Sequence, residues 1–339
     1  MNRPLTRWAP AMLACAAMLA CATTARANIT IVPTFDTTIS GNANAGAIEG
    51  AINAAIAALE ADIATPITVN IYFQGMTTGL GASNTAIYGQ TYFQYYNALQ
   101  AIDNAAGATA AQHTAFASLG AAPADPTSGN PVNGSTNVYL TSANNRALGF
   151  AAAPAVTVGG NSYDSVVSLN TSITSPPNAL PGFYGLQSVA THEIDEVLGI
   201  GGTGSMLGQG FSGSPIGALD LYRYSAAGVR SFTTAASTSP TTYFSIDGGQ
   251  TVLSYFNQTA GADYADWLSN PIPAGYAPQL QDAFGQPGTN PALSATELTA
   301  FNVIGYGLIS AVPEPSRAGL LAAGLALMAL QLRRRRRAG

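Results

Sequence analysis

S-V-A-T-H-E-I-D-E-V-L-G-I-G-G, residues 188–202, is the stretch from which the rest of this chain is read. It holds one of only two histidines in the protein. On a helix, positions i and i+4 share a face, about 5–6 Å apart at Cβ. His192 and Glu196 can therefore grip one cation together, with Glu193 turned sideways toward a water on it. Asp195 adds a third carboxylate within four residues, a crowding that a cation would relieve. Gly199 is placed to end the helix in a left-handed turn. The alternative is a structural histidine among solvated helix charges.

The spacing resembles the H-E-x-x-H zinc helix, with Glu196 where the second histidine stands. Gly199 matches the glycine of the metzincin pattern H-E-x-x-H-x-x-G-x-x-H. This resemblance implies zinc held by His192 and Glu196, and Glu193 as the general base. The pattern would put its third ligand at Gly202, which has no side chain to offer. Asp220, the nearest carboxylate beyond a glycine-rich loop, is the candidate in its place; capping or orienting Arg223 is its other reading. Ser205-Met206-Leu207 reads as a Met-turn beneath the metal or as an ordinary loop. His113 falls on a surface helix and reads as solvated. Asp247, Asp263 and Asp266 lie among Gly and Asn without EF-hand spacing, so turn and capping roles are expected rather than calcium binding.

Both ends of the chain carry addresses. Arg3 and Arg7, the apolar run Met12 to Ala20 and the small-residue site Ala25-Arg26-Ala27 read as a secretory signal peptide over residues 1–27. Both cysteines, Cys15 and Cys21, fall inside it, so disulfides and thiolate metal sites are excluded downstream. Val312-Pro313-Glu314-Pro315-Ser316 precedes an apolar run from Ala318 to Leu332 and the arginines 333–337. As a helix that run reaches ~22 Å, short of the ~30 Å hydrocarbon core. The three parts in order resemble the PEP-CTERM sorting signal of Gram-negative bacteria, over residues 312–339. The resemblance implies signal peptidase and exosortase as processing partners and transient insertion of a short transmembrane helix in the inner membrane. The destination would be the cell surface or extracellular matrix. An ordinary C-terminal anchor is the alternative.

Residues 28–311 carry sixteen Asp and Glu against Arg146, Arg223 and Arg230, with no lysine. Such a surface repels nucleic acid and anionic membranes, and neither is expected as a partner. The order of elements is also informative. Ile29–Phe35 and Ile67–Phe73 alternate like strands, and Ala45–Ile63 shows helical spacing of Ile48, Ile52, Ile56, Leu59 and Ile63. Helices are expected over 91–105 and 109–119, strands over 138–141 and 165–170, and a last helix over 294–306. Strand, helix, strand, further strands and then the His192 helix resembles the upper half of a metzincin or matrixin catalytic domain. Ile304-Gly305-Tyr306 resembles the close of its final helix. The expected fold is therefore α+β: a zincin-like domain over residues 28–311, with a mixed twisted sheet and an active-site helix. The chain is similar to PEP-CTERM-bearing metalloproteases, which implies an exported zinc endopeptidase acting on protein or peptide. The alternative is a catalytically inactive zincin-derived surface or matrix protein that binds peptide or polysaccharide.

Overall fold

A computed structural model describes residues 28–209, 215–236, 241–270 and 277–309. The signal peptide expected at 1–27 and the sorting signal expected at 312–339 lie outside the described residues. Among the described residues no helix is long and apolar enough to cross a membrane.

Strand β1 (Thr30–Phe35) leads through helix α1 (Ala45–Asp62) to strand β2 (Thr68–Gly75). The two strands pair in parallel, Thr30 opposite Thr68 and Phe35 opposite Phe73. Alternation in β2 buries Val69, Ile71 and Phe73 on one face. Helix α1 buries Ile48, Ala51, Ile52, Ala55, Ile56 and Leu59, the i, i+3, i+4 stripe of a helix lying on a sheet. A fully buried isoleucine contributes about 1.5–3 kcal/mol, so this stripe anchors the crossover.

Strands β3 (Gly81–Thr85) and β4 (Ile87–Thr91) follow, then α2 (Tyr92–Asp103), α3 (Ala110–Ser118), β5 (Asn137–Thr141) and β6 (Ser165–Leu169). The main sheet runs β1, β2, β6, β3, with the first three strands parallel and β3 antiparallel at the edge. Strand β4 pairs instead with β5, in a second sheet completed by Ile216–Gly217. Capping boxes start α2 at Thr91, with Gln94 reaching back, and α3 at Thr109, with Gln112. The expected helices and strands lie within a few residues of those observed. Strands β3 and β4 are additions, since G-A-S-N-T carries no apolar alternation to announce a strand.

Helix α4 (Leu186–Leu198) packs against α1, β3 and β6. Asn290 caps its start from a distant loop, accepting the Ser188 N–H at 3.0 Å. Gly199, at φ 103°, takes the left-handed position that ends it, donating to the carbonyls of Asp195 and Glu196. Most of the helix is buried on all sides, including three carboxylates: Glu193, Asp195 and Glu196 are 5%, 0% and 6% exposed.

The second half is held by a small antiparallel sheet from Arg223–Ala226, Val229–Arg230, Tyr243–Phe244 and Ser254–Tyr255. Beneath it, Phe244 and Phe256 pack against the Trp267 ring at 5.7 and 5.3 Å between centroids. Helix α5 (Ala295–Val303) begins with a Ser294–Glu297 capping box. Glu297 also accepts from the Trp267 indole at 3.0 Å. Past α5, the buried Tyr306 hydroxyl donates to the Leu198 carbonyl at 2.8 Å and ties the chain end to the end of α4. Most of the buried apolar residues from Ile29 to Tyr306 form one core. The architecture is α+β with several small sheets.

Candidate metal centre

A cavity of about 720 Å³ opens between β3, helix α4 and the segments 261–266 and 278–291. His192, Glu193, Glu196, Asp263 and Asp266 line it, and among its described walls there is no lysine or arginine.

His192 is oriented by its backbone partner. Its Nδ1 lies 3.0 Å from the Leu280 carbonyl oxygen, which can only accept, so Nδ1 carries the proton. In the ring's neutral form, the Nε2 lone pair is thereby aimed into the cavity. It meets Glu196 Oε1 at 3.5 Å and Asp266 Oδ2 at 3.7 Å. One atom from each of these three residues lies within 4.8 Å of the others, the arrangement of a cation site. A backbone carbonyl behind a ligating imidazole is the usual means of fixing its tautomer.

Glu196 is held from two sides. Ser83 Oγ, on edge strand β3, donates to its Oε2 at 2.6 Å, and the Gly202 N–H donates to its Oε1 at 3.2 Å. Glu193 is left freer. Its Oε2 is buried without a hydrogen-bond partner. Its Oε1 packs so tightly on Gly81 that a Cβ there would sit 2.2 Å away. Two glycines after the helix make similar room. A Cβ on Gly202 would meet Glu196 Oε1 at 2.6 Å, and one on Gly201 would come within 3.0 Å of Asp266 Oδ1.

The electrostatics follow from this crowding. Burial pushes the Glu193 carboxyl well up, and the Glu196 charge adds to it. Burial likewise raises Asp266, with Glu196 and Asp263 reinforcing and His192 opposing. Asp263 is pushed up to about 6 by burial and by Glu196. Burial alone would lower His192, but the charges of Asp266, Glu196 and Glu193 overcome it and hold the ring well above its ordinary value. Dense buried negative charge beside one imidazole is the setting that a divalent cation neutralises.

Asp220, the candidate third ligand from sequence, stands elsewhere in role. It accepts from Ser205 Oγ at 2.6 Å, Met206 N at 3.1 Å and Gly217 N at 2.8 Å, and so fastens the glycine-rich loop. The third member of the group is Asp266, for which the sequence suggested a turn or capping role. Asp247 does cap a turn, accepting from Ser245 Oγ and from the amides of Gln250 and Thr251. Met206 is buried and lines the cavity. Asp195 is not part of the cavity lining; it is buried with neither oxygen partnered, and burial together with Glu297 pushes its carboxyl well up. His113 is exposed on α3 and pairs with Asp103 at 2.6 Å. Ser83 and Asp266 had no local signal in the sequence, because each reaches α4 from a segment remote in the chain.

No protein-family model, curated protein or solved structure matches the chain.

Proposed function

We propose that residues 28–311 form a zincin-like metallopeptidase domain and that the protein is an exported zinc-dependent endopeptidase. The observation that carries this reading is the bond from His192 Nδ1 to the Leu280 carbonyl, which aims Nε2 at the point where Glu196 and Asp266 converge. These three would hold the ion. When bound, it would supply Lewis acidity toward a water and a peptide carbonyl.

The remaining work falls to side chains of this chain. With the charge of a bound ion offsetting burial and favouring its carboxylate form, Glu193, with its unpartnered Oε2, would take a proton from the attacking water and return it to the leaving amine as the C–N bond breaks. The edge strand β3 lies beside α4 with one side of its backbone unpaired in the sheet, where an extended substrate can add as a further strand. Burial of the carboxylates keeps bulk water from screening them.

A second reading is a silent zincin-derived protein that binds peptide or polysaccharide without cutting. It is favoured by the donor set, since two carboxylates cancel the charge of a divalent ion and blunt its acidity. Elemental analysis and cleavage of a peptide library, with and without chelator, separate the two. One zinc per chain with chelator-sensitive cleavage supports the enzyme. Absence of metal supports the silent protein, and zinc without cleavage means a fold that has kept its metal and lost its chemistry.

Export belongs to the same proposal and rests on the sequence of the two ends. N-terminal sequencing of the secreted form should begin at Asn28. Replacing Pro313, Glu314 and Pro315 should block processing of the tail, and unchanged processing would rule out the sorting signal.

A further inference from the structure

Beside the three donors stands a fourth polar group that the motif does not include. Gln281 is fully buried. Its side-chain Nε2 lies 3.2 Å from His192 Nε2 and 3.2 Å from Asp266 Oδ1. Its Oε1 is buried and has no hydrogen-bond partner. An amide oxygen left without a donor in the interior is unfavourable and marks a group whose partner is something other than this chain.

The spacing is that of a coordination shell. With zinc–nitrogen and zinc–oxygen bonds of about 2.0–2.2 Å, the corners of a tetrahedral site lie about 3.3–3.6 Å apart. The end of the Gln281 carboxamide falls near that separation from His192 Nε2, as Glu196 Oε1 does at 3.5 Å. The backbone around it is pinned. The Gln281 carbonyl accepts from Trp267 N at 2.8 Å, and its N–H points to Glu297 Oε1 at 3.4 Å. Gly201, at φ 64°, leaves the space the carboxamide fills: a Cβ there would lie 1.9 Å from Gln281 Nε2. Glycine at 201 is thus required both by backbone conformation and by the amide above it.

We propose that Gln281 is the fourth ligand of this centre, binding the ion through Oε1; the inference rests on the metal-centre reading given above. Rotation about the Cγ–Cδ bond exchanges the two ends of the carboxamide. It moves Oε1 to the position now held by Nε2 and clears the lone pairs of His192 and Asp266. In the bound state the shell contains the imidazole, two carboxylates and one neutral amide oxygen. The amide would be the weakest donor of the four and so the one that water or a peptide carbonyl would displace.

The test uses the full chain with zinc and with cobalt(II). Wild type, Gln281→Leu and Gln281→Glu are compared by elemental analysis, by competition for zinc against a chromophoric chelator, and by the visible spectrum of the cobalt form. Leucine removes the oxygen, so zinc affinity should fall by about tenfold or more, the scale on which even supporting groups act. The cobalt bands should shift as a ligand is lost. Glutamate keeps an oxygen in place and should restore or exceed wild-type affinity, which also guards against a leucine variant that simply misfolds. Wild-type affinity and an unchanged cobalt spectrum in Gln281→Leu would reduce the residue to a brace and overturn the proposal. Tighter binding in that variant would make it a competitor of the ion and overturn it equally. A wild-type protein without metal overturns the centre itself, an outcome visible before any variant is made.

Discussion

Gly202 lies directly against the carboxylate of Glu196, donating its N–H to Oε1 at 3.2 Å and leaving no space for a Cβ, which would sit 2.6 Å from that oxygen. Gly202 is also the position where the zinc-helix pattern would carry its third ligand. Here the residue supports Glu196 instead, and the third member of the group is Asp266.

Gly202→Ala should therefore disturb the metal centre without entering it. The added methyl must push Glu196 aside, so zinc affinity should fall while the fold is kept. Ser83→Ala removes the bond from the other side and should weaken zinc by about 10–100-fold, as loss of a supporting hydrogen bond does. Chelator competition on both variants checks this; wild-type affinity in both would show that Glu196 needs no support.

Glu193→Gln keeps size but cannot take a proton. Its cleavage rate should fall by about 10²–10⁴ in kcat, with zinc content and KM little changed. Gly81→Ala should act in the same direction, because its Cβ would lie 2.2 Å from Glu193 Oε1. Steady-state kinetics with metal analysis on the same samples decides the point. Equal residual cleavage in wild type and Glu193→Gln would favour the silent protein.

Metal should also stabilise the fold, by RT ln(1 + [L]/Kd), about 4 kcal/mol when free zinc is a thousandfold above Kd. Chelator should lower the wild-type melting temperature. In Asp266→Ala that shift should vanish, whereas Asp220→Asn should lower stability yet keep the chelator effect, because Asp220 holds only the loop. The opposite pattern would restore Asp220 as the ligand.

Asp247 gives a stability term with a defined pH range. Burial pushes its carboxyl up, but hydrogen bonds from Thr251, Ser245 and Gln250 outweigh it and hold the group at about 2. An unfolded aspartate titrates near 3.9. A depressed folded value stabilises the protein above the unfolded value, and that contribution is lost as pH falls from about 4 toward 2. Urea midpoints of wild type and Asp247→Asn should differ at pH 6 and converge near pH 2. A constant gap would deny the linkage.

Much of the upper sheet was legible because its residues repeat. Ile48, Ile52, Ile56 and Leu59 announce a helix with a buried stripe, and Val69, Ile71 and Phe73 a strand with one buried face. The pairing of His192 with Glu196 and the stop at Gly199 follow from helix geometry alone. Strand β3 was hidden because it lines a cavity: Gly81 must be bare beside Glu193, and Ser83 must be polar for Glu196. Asp266 and Gln281 were hidden for another reason. Their places are set by pairing between two irregular segments, Trp267 N to the Gln281 carbonyl and Ala283 N to the Trp267 carbonyl, which leaves no periodicity.

Trp267 adjoins Asp266 in the chain, its indole fixed on Glu297 and stacked over Phe244. The other tryptophan is Trp8, so a chain cut before Asn28 would have a single fluorophore of its kind. An ion that draws Asp266 toward His192 must pull on the neighbouring ring and alter the charge near it. A centre of this kind would carry its own optical gauge, and the colour and intensity of one indole would follow the filling of the site in real time without any label.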